Sequence, residues 1–133
     1  MRTKPSLTSS DAQKMMAACK AEATKNKWNV AIAILDEAGY ILQVERMDGA
    51  SLTTPDVAIG KALTAALTRS PSKAMEEKLK DRSAFLRYPF GLPIQGGVPI
   101  KYQGECVGGI GVSGVQSPED EQIAQAGVDA LGN

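Results

Sequence analysis

The sequence predicts an α+β protein, a two-layer α/β sandwich in which helices flank an antiparallel sheet of four or five strands. Residues 28–35 and 40–47 alternate between two faces, as strands do, and a short turn separates them. A second pair of apolar runs, 98–102 and 106–113, is joined by an equally short turn. Parallel neighbours need a crossover of about a dozen residues, so these hairpins favour an antiparallel sheet. With 133 residues, we expect a single domain spanning 1–133.

The first part of the chain predicts a helix that leads into the first hairpin. Apolar residues recur every three or four positions between residues 9 and 25, which is the spacing of an amphipathic helix: Ala12, Met15, Met16, Cys19 and Ala23. In the strand that follows, successive positions are all apolar, so we expect it to lie centrally with both faces covered. The second strand contains more polar residues, which indicates one face nearer to water.

The middle of the chain predicts two helices and then an irregular apolar segment. Thr54 and Pro55 are residue types that begin a helix, and Pro71 ends it. Residues 72–80 can form a short polar helix. Residues 81–95 have no regular period but contain three aromatic side chains, so we expect them to pack on the body of the domain or against another subunit.

The second hairpin is unusually rich in glycine. Seven glycines lie from residue 96 to residue 114, and glycine inside a strand usually marks the close approach of another backbone or a ligand. Strict alternation places Val107, Gly109, Gly111 and Ser113 on one face of the last strand, and Cys106, Gly108, Ile110 and Val112 on the other. The first face is nearly free of side chains, so a helix, a flat ligand or another subunit could lie on it.

Composition excludes several classes of function. The 15 basic and 15 acidic residues cancel, so no overall field attracts nucleic acid or an anionic membrane. The chain contains no histidine, which excludes a Ser/His/Asp triad and a histidine-based metal site, and we expect no metal ion. We see two widely spaced cysteines, no export signal and no membrane-spanning run, so we expect reduced thiols and a cytoplasmic location.

Charged residues beside apolar elements are candidates for holding a ligand. Arg46 and Asp48 lie at the end of the second strand, and Lys61 lies on the second helix among inward-facing residues. A cationic side chain in such a place either extends its charge to water or pairs with an anion such as a carboxylate. With the glycine face, the candidate ligand-binding residues are Arg46, Asp48, Lys61, Gly97, Gly109, Gly111 and Ser113.

Two other groups of chemically active residues have simpler explanations. Glu119, Asp120 and Glu121 lie in the first turn of the last helix, which Ser117 caps, and acidic side chains there offset the helix macrodipole. Neither Cys19 nor Cys106 has a neighbour that lowers a thiol pKa, which favours buried packing.

Five stretches of the sequence, taken in order, resemble the GlcG/HbpS-like family, which is often labelled haem-degrading and includes the C-terminal domain of PduO-type corrinoid adenosyltransferases. They are residues 35–39, 46–50, 58–62, 96–100 and 107–114, followed by Asp120 and Glu121. The resemblance covers nearly the whole chain. It implies a profilin-like fold and assembly into homo-oligomers, often octamers.

The resemblance also implies a function. Relatives occur in glycolate and diol-utilisation operons, and some bind haem, so we expect a cytoplasmic, homo-oligomeric accessory protein that binds a small ligand, with haem or a corrinoid as the candidate. A haem iron would need Tyr, Cys, Met, Lys or a hydroxyl such as that of Thr53 or Thr54, because histidine is absent.

Two alternatives to a binding protein remain open. One is an enzyme, an isomerase or lyase acting on a small carbonyl acid, in which Lys61 with Asp36 or Asp48 moves a proton. The other is a purely structural partner in an assembly. A pocket at a junction between subunits would count against the structural alternative.

Overall fold

The computed structural model describes residues 1–132, which form a four-stranded antiparallel sheet with the strand order β2-β1-β4-β3. The strands are β1 Ala31–Asp36, β2 Ile41–Arg46, β3 Gly97–Tyr102 and β4 Glu105–Ser113. The helices are α1 Ser9–Lys25, α2 Thr54–Thr68, α3 Ser72–Lys78 and α4 Ser117–Leu131, with a 3-10 helix at Ser83–Arg87. The predicted α+β class and antiparallel sheet are confirmed. No helix within residues 1–132 has both the length and the apolar character needed to cross a bilayer.

The strand β1 lies at the centre of the molecule, as its continuous apolar sequence predicts. It pairs with β2 on one side and with β4 on the other. Ile32 and Ile34 are fully buried in the larger core, which α1 and α4 cover, while Ala33 and Leu35 are fully buried beneath α2. Helices therefore pack on both faces of the sheet. A two-layer sandwich has one layer of helices, whereas this fold has two, one on each side of the sheet.

Reciprocal hydrogen bonds at their N-termini fix where α1 and α4 begin. The Asp11 N–H donates to the Thr8 hydroxyl at 3.2 Å, and the Thr8 N–H donates to the Asp11 carboxylate at 2.9 Å. In α4 the same arrangement joins Gln116 and Glu119. Ser117, predicted to be the cap of α4, is instead its first helical residue, because Gln116 provides the capping contact.

A bulge in the β3–β4 pair changes which face two residues of β4 occupy. Ile100 pairs with Gly108 and Lys101 pairs with Cys106, so Val107 is an extra residue on β4. Val107 lies in the core beneath α1 and α4, and the Cys106 sulfur lies 3.7 Å from the carbonyl oxygen of Ala66 on α2. The predicted faces of Cys106 and Val107 are therefore wrong, because strict alternation does not hold across a bulge.

Candidate functional site

Helix α2 occupies the glycine face of β4. A Cβ atom at Gly109 would lie 2.5 Å from the carbonyl oxygen of Ala62, and one at Gly111 would collide with the carbonyl oxygen of Ala58. A Cβ atom at Gly97 on β3 would likewise collide with the carbonyl oxygen of Lys61. The sequence allowed a helix, a flat ligand or another subunit on this face, and in the structure it is a helix. These glycines let α2 approach the sheet and leave no room for a ligand between them.

Lys61 reaches from α2 past the sheet and forms a buried ion pair with Asp120 on α4. Its ammonium donates to the Asp120 carboxylate at 3.1 Å and to the carbonyl oxygen of Val112 at 3.0 Å. The other carboxylate oxygen of Asp120 accepts the N–H of Val115 at 3.1 Å. The side chains of Lys61 and Asp120 are only 3% and 2% exposed. The pair joins the helices on the two faces of the sheet.

Burial governs the electrostatics of this pair. It raises the pKa of the Asp120 carboxyl above its usual value, while the Lys61 charge and the N–H of Val115 act in the opposite direction. Gly96 adjoins the pair, and a Cβ atom there would lie 2.7 Å from the Lys61 nitrogen. The pair links α2 to α4 and is enclosed by protein. This geometry suits a structural role better than the capture of a free anion from solution.

The partner predicted for Lys61 was wrong. Asp36 instead accepts the N–H groups of Ala38 and Tyr40, both at 2.9 Å, and thereby shapes the turn between β1 and β2. Asp48 is exposed in the turn after β2. The proton-transfer pairs Lys61–Asp36 and Lys61–Asp48 therefore do not form, because the Lys61 ammonium is held at Asp120.

The other two candidate residues lie at the ends of strands. Arg46 is exposed at the end of β2, and Ser113 ends β4, where it pairs with Ala31 and is 9% exposed. Arg46 remains free to meet an anion from solution or from another molecule. A ligand-binding role for these two residues stays a prediction.

Asp120 is the charged residue of this pair that was not predicted from the sequence. Its position in the first turn of α4 was explained by the helix macrodipole alone. The spacing of residues along α4 did indicate which side of the helix faces inward. Ile123, Ala124 and Gly127 follow it by three, four and seven residues and are all buried, so Asp120 belongs to the inward face of α4. An acidic residue on an inward face requires a partner, and the buried Lys61 is that partner.

The segment after the 3-10 helix packs on the body of the domain. The N–H of Leu92 donates to the carbonyl oxygen of Gly60 at 3.0 Å, and the Thr64 hydroxyl donates to the carbonyl oxygen of Leu92 at 2.9 Å. The Ser72 hydroxyl is fully buried and donates to the carbonyl oxygen of Ile94 at 2.6 Å. These bonds confirm packing on the body for the later part of the predicted irregular segment.

The earlier part of this segment presents apolar side chains to water. Leu86 is 68% exposed, Phe90 51% and Tyr88 37%. The Tyr88 and Phe90 rings meet edge to face with centroids 5.8 Å apart, and the Arg82 guanidinium lies 5.0 Å from the centre of the Phe85 ring. A shallow cavity of about 210 Å³ is lined by Arg82, Ala84, Phe85, Arg87 and Tyr88. We call residues 82–90 the 82–90 surface.

Several residues of types that can ligate a cofactor metal are buried in this structure. Cys19 is fully buried, and burial raises the pKa of its thiol to about 12. The methionines Met15, Met16 and Met75 are also buried, as predicted. Within residues 1–132 no three acidic or cysteine side chains converge on a point that could hold a metal ion.

The family model described as haem degrading protein HbpS-like matches residues 7–129. The chain belongs to this family. This HbpS-like chain is 39% identical to the protein GlcG of Escherichia coli K12 over 114 residues, which are 85% of each chain. Both findings confirm the resemblance seen in the sequence.

Solved structures support the same assignment. A double mutant of HbpS from Streptomyces reticuli is 34% identical, with a TM-score of 0.93 over 100% of this chain and 92% of that one. A structure described as a PduOC:heme complex superposes with a TM-score of 0.89 over 96% of each chain. At 22% identity it shares the fold alone.

Proposed function

We propose that this HbpS-like protein is a homo-oligomeric, cytoplasmic protein that binds a flat, carboxylated ligand of the tetrapyrrole class, haem or a corrinoid. The observation that carries the proposal is the 82–90 surface, where exposed apolar side chains lie beside two arginines. The family description and the heme complex of the relative with the same fold favour haem as the first ligand to test.

The residues of the 82–90 surface fit a haem chemically. Haem has a flat apolar ring and two carboxylates. Leu86 and Phe90 offer apolar area that costs free energy while it faces water. Arg82 and Arg87 line the adjacent cavity and carry the fixed planar donors that suit carboxylates.

The cavity is small, which favours a ligand site shared between two copies of the chain. At about 210 Å³ it is below the roughly 300–1,000 Å³ typical of pockets that enclose a ligand of this size. One copy alone would leave most of the ring in water. A second copy placed against the 82–90 surface would provide the other wall, and the edge strand β2 exposes Ile41 and Leu42, further apolar area for subunit contacts.

An accessory role in glycolate or diol utilisation is the biological setting that we propose. The resemblance to a family with relatives in such operons supports it, and the chain is 39% identical to GlcG. Two free cysteines suit a reducing compartment such as the cytoplasm. The enzyme alternative has no observation in its favour, because Lys61 is held in a buried ion pair.

Titration of the purified protein with haemin and separately with cobalamin tests the proposal. We expect a saturable change in the Soret band with haemin and a light-scattering mass of several chains. A variant with Arg82→Gln and Arg87→Gln should bind about tenfold more weakly or worse, because two carboxylate partners are lost. Arg46→Gln is the matched control, since it removes an exposed arginine on β2.

Three results would contradict parts of the proposal. No saturable binding of haemin or cobalamin would reject a tetrapyrrole ligand. Weaker binding in Arg46→Gln alone would move the site to β2, where the sequence placed an anion partner. A monomer that binds haemin with full affinity would reject the requirement for a second copy.

A further inference from the structure

We propose that a basic pocket beside the end of α2 binds a small anion that carries two negative charges, such as phosphate or a short dicarboxylate. The pocket has a volume of about 190 Å³ and lies between the segment before α1, the end of α2 and the β3–β4 hairpin. Its wall includes Arg2, Lys4, Arg69 and Lys101. We call it the Arg69 pocket. It shares no lining residue with the cavity of the 82–90 surface, so it is separate from the site of the proposed function.

The charges in the wall of the Arg69 pocket leave two cations without a counter-charge. The acidic residues of the wall are already paired with cations of the segment before α1: Glu37 with Lys4 at 2.9 Å and Glu105 with Arg2 at 3.9 Å. Within the described part of the chain, Arg69 and Lys101 form no ion pair. Their charges are therefore available to a ligand.

The backbone of Arg69 gives independent support. Arg69 is the C-cap residue of α2, with φ 57° and ψ 31° in the left-handed region. Glycine is the usual residue there, because it has no Cβ atom to collide with the backbone. An arginine at this point makes the chain less stable than glycine would, and such a cost points to a use for the side chain. A cation here also offsets the macrodipole of α2, which is the alternative explanation of Arg69.

Lys101 reaches the pocket on the same side of the sheet as Arg69. Lys101 pairs with Cys106 across the β3–β4 hairpin, and residues that pair in this way present their side chains to the same face. The Cys106 sulfur lies 3.7 Å from the carbonyl oxygen of Ala66, so that face is the one that α2 covers. The cations of Arg69 and Lys101 therefore approach the pocket from a helix end and a strand that are packed together.

A small anion fits the Arg69 pocket in size and in charge. The volume is below the roughly 300–1,000 Å³ typical of sites for drug-sized ligands, so the pocket suits a small ion. Arginine offers a planar fork that binds two oxygens and lysine offers a point charge, so an anion with two charged oxygens can meet both. Both side chains belong to exposed residues, and we therefore expect millimolar affinity that weakens with salt.

Calorimetric titration of the intact protein with inorganic phosphate, and separately with succinate, tests the site. We expect saturable binding of at least one of them, weakened about fivefold or more in the double variant Arg69→Gln with Lys101→Gln. The matched control is Lys73→Gln with Lys80→Gln, which removes two exposed lysines outside the pocket. In Arg69→Gly we expect weaker binding without a lower thermal midpoint, since glycine relieves the left-handed backbone. Circular dichroism checks that each variant is folded.

Cys106 provides a second readout, because it lines the same pocket and is the half-buried one of the two free cysteines. The cations should attract an anionic aromatic disulfide but not a neutral maleimide. We expect the ratio of the two labelling rates to fall about fivefold in Arg69→Gln with Lys101→Gln and to stay constant in the lysine control. Phosphate or succinate should slow the labelling of the wild type by both reagents, whereas potassium chloride at the same ionic strength should slow only the disulfide.

The outcomes identify the ligand class or reject the site. Loss of phosphate binding alone in Arg69→Gln with Lys101→Gln would assign the pocket to a phosphorylated ligand, and loss of succinate binding alone would assign it to a dicarboxylate. Binding of neither anion to the wild type would reject the site. Equal binding in the wild type and the double variant would place the anion elsewhere and reject it as well. A lower thermal midpoint in Arg69→Gly with unchanged binding would show that Arg69 serves only the end of α2.

Discussion

The Lys61–Asp120 pair holds two opposite charges where almost no solvent reaches them. Both side chains are almost fully enclosed, and their nitrogen and oxygen atoms are 3.1 Å apart. Removal of one charge leaves the other without a counter-charge in a medium of low dielectric constant, which costs several kcal/mol, although each group keeps one hydrogen bond to the backbone. Replacement of both charges by apolar groups removes the same attraction but leaves no orphan charge.

We therefore predict that Lys61→Met lowers the free energy of unfolding by about 3–5 kcal/mol. The double variant Lys61→Met with Asp120→Leu should recover a large part of that loss. Urea unfolding followed by circular dichroism measures both values. Lys73→Met is the control, because Lys73 is 51% exposed and its ion pair with Glu77 spans 3.9 Å, so its effect should stay within about 0.5 kcal/mol. Additive losses in the double variant would show that the two residues do not act as a pair.

The two cysteines should differ sharply in reactivity. Cys19 is fully buried with a pKa of about 12, whereas Cys106 is half-buried. At pH 8 a thiol with a pKa of 12 has about one ten-thousandth of its molecules as the reactive thiolate. We predict that a chromogenic disulfide reagent labels at most one thiol per native chain and that Cys106→Ser abolishes this labelling. Labelling of Cys19 without denaturant would mean that the contact between α1 and α4 opens readily.

At the scale of the element, the contact between α2 and the sheet depends on the absence of side chains on β4. Gly111→Ala would place a methyl group against the carbonyl oxygen of Ala58 and 2.5 Å from the nitrogen of Ala62. Helix backbone cannot yield as a flexible side chain can, so we predict a loss of about 1–3 kcal/mol in the free energy of unfolding.

A glycine in the β3–β4 turn supplies the control for this prediction. A Cβ atom added at Gly104 would meet nothing within 4 Å beyond its chain neighbours, and the φ of +81° there is a conformation that asparagine tolerates. Gly104→Asn should therefore change stability far less than Gly111→Ala. Equal losses measured by urea unfolding would show that the effect comes from the backbone conformation of glycine and not from crowding by α2.

Most elements of this fold were predictable because local patterns determine them. Apolar spacing located α1 at its observed bounds, and apolar residues at successive positions identified β1 as central. The short turns of the two hairpins determined the antiparallel pairing. The face of Cys106 was not predictable, since the bulge beside it depends on how β3 and β4 pair and leaves no pattern in β4 alone.

The candidate site was harder to predict, because its contacts join residues far apart in the chain. Lys61 and Asp120 are brought together by helices on opposite faces of the sheet, and no local spacing links them. Sequence did identify Lys61 as a cation among apolar residues, and it identified the glycine face as a place of close approach. It could not say that the same helix α2 accounts for both.

At the scale of the whole molecule, hydrogen bonds to carboxylates join the helices that cover the larger core. Glu22 on α1 accepts the side-chain N–H of Gln122 on α4 at 2.7 Å and also binds Lys25 at 3.2 Å. These contacts lower the pKa of the Glu22 carboxyl, with Gln122 as the largest cause. Hydrogen bonds from Thr8 lower the pKa of Asp11 at the start of α1 in the same way.

The sign of the pH dependence follows from these shifts. Glu22 and Asp11 have lower pKa values folded than unfolded, so their stabilisation is present above the unfolded values and is lost as pH falls through the folded ones. The pKa of Asp120 is raised, so its contribution is present at low pH and is lost as pH rises through its folded value. Of these three groups, Asp11 and Glu22 are the ones whose stabilisation is lost in acid.

We predict that the thermal midpoint of the wild type falls as pH is lowered from about 5 to about 3, across the ordinary range of carboxyl pKa values. In Glu22→Gln the fall should be shallower, because one of the carboxylates that must be protonated is absent. Glu77→Gln, a change of an exposed glutamate on α3, should leave the slope unchanged. Calorimetric scans at half-unit pH steps measure all three slopes. A Glu22→Gln slope as steep as that of the wild type would show that the contact between α1 and α4 does not depend on the charge of Glu22, and that acid destabilises the protein through other carboxyl groups.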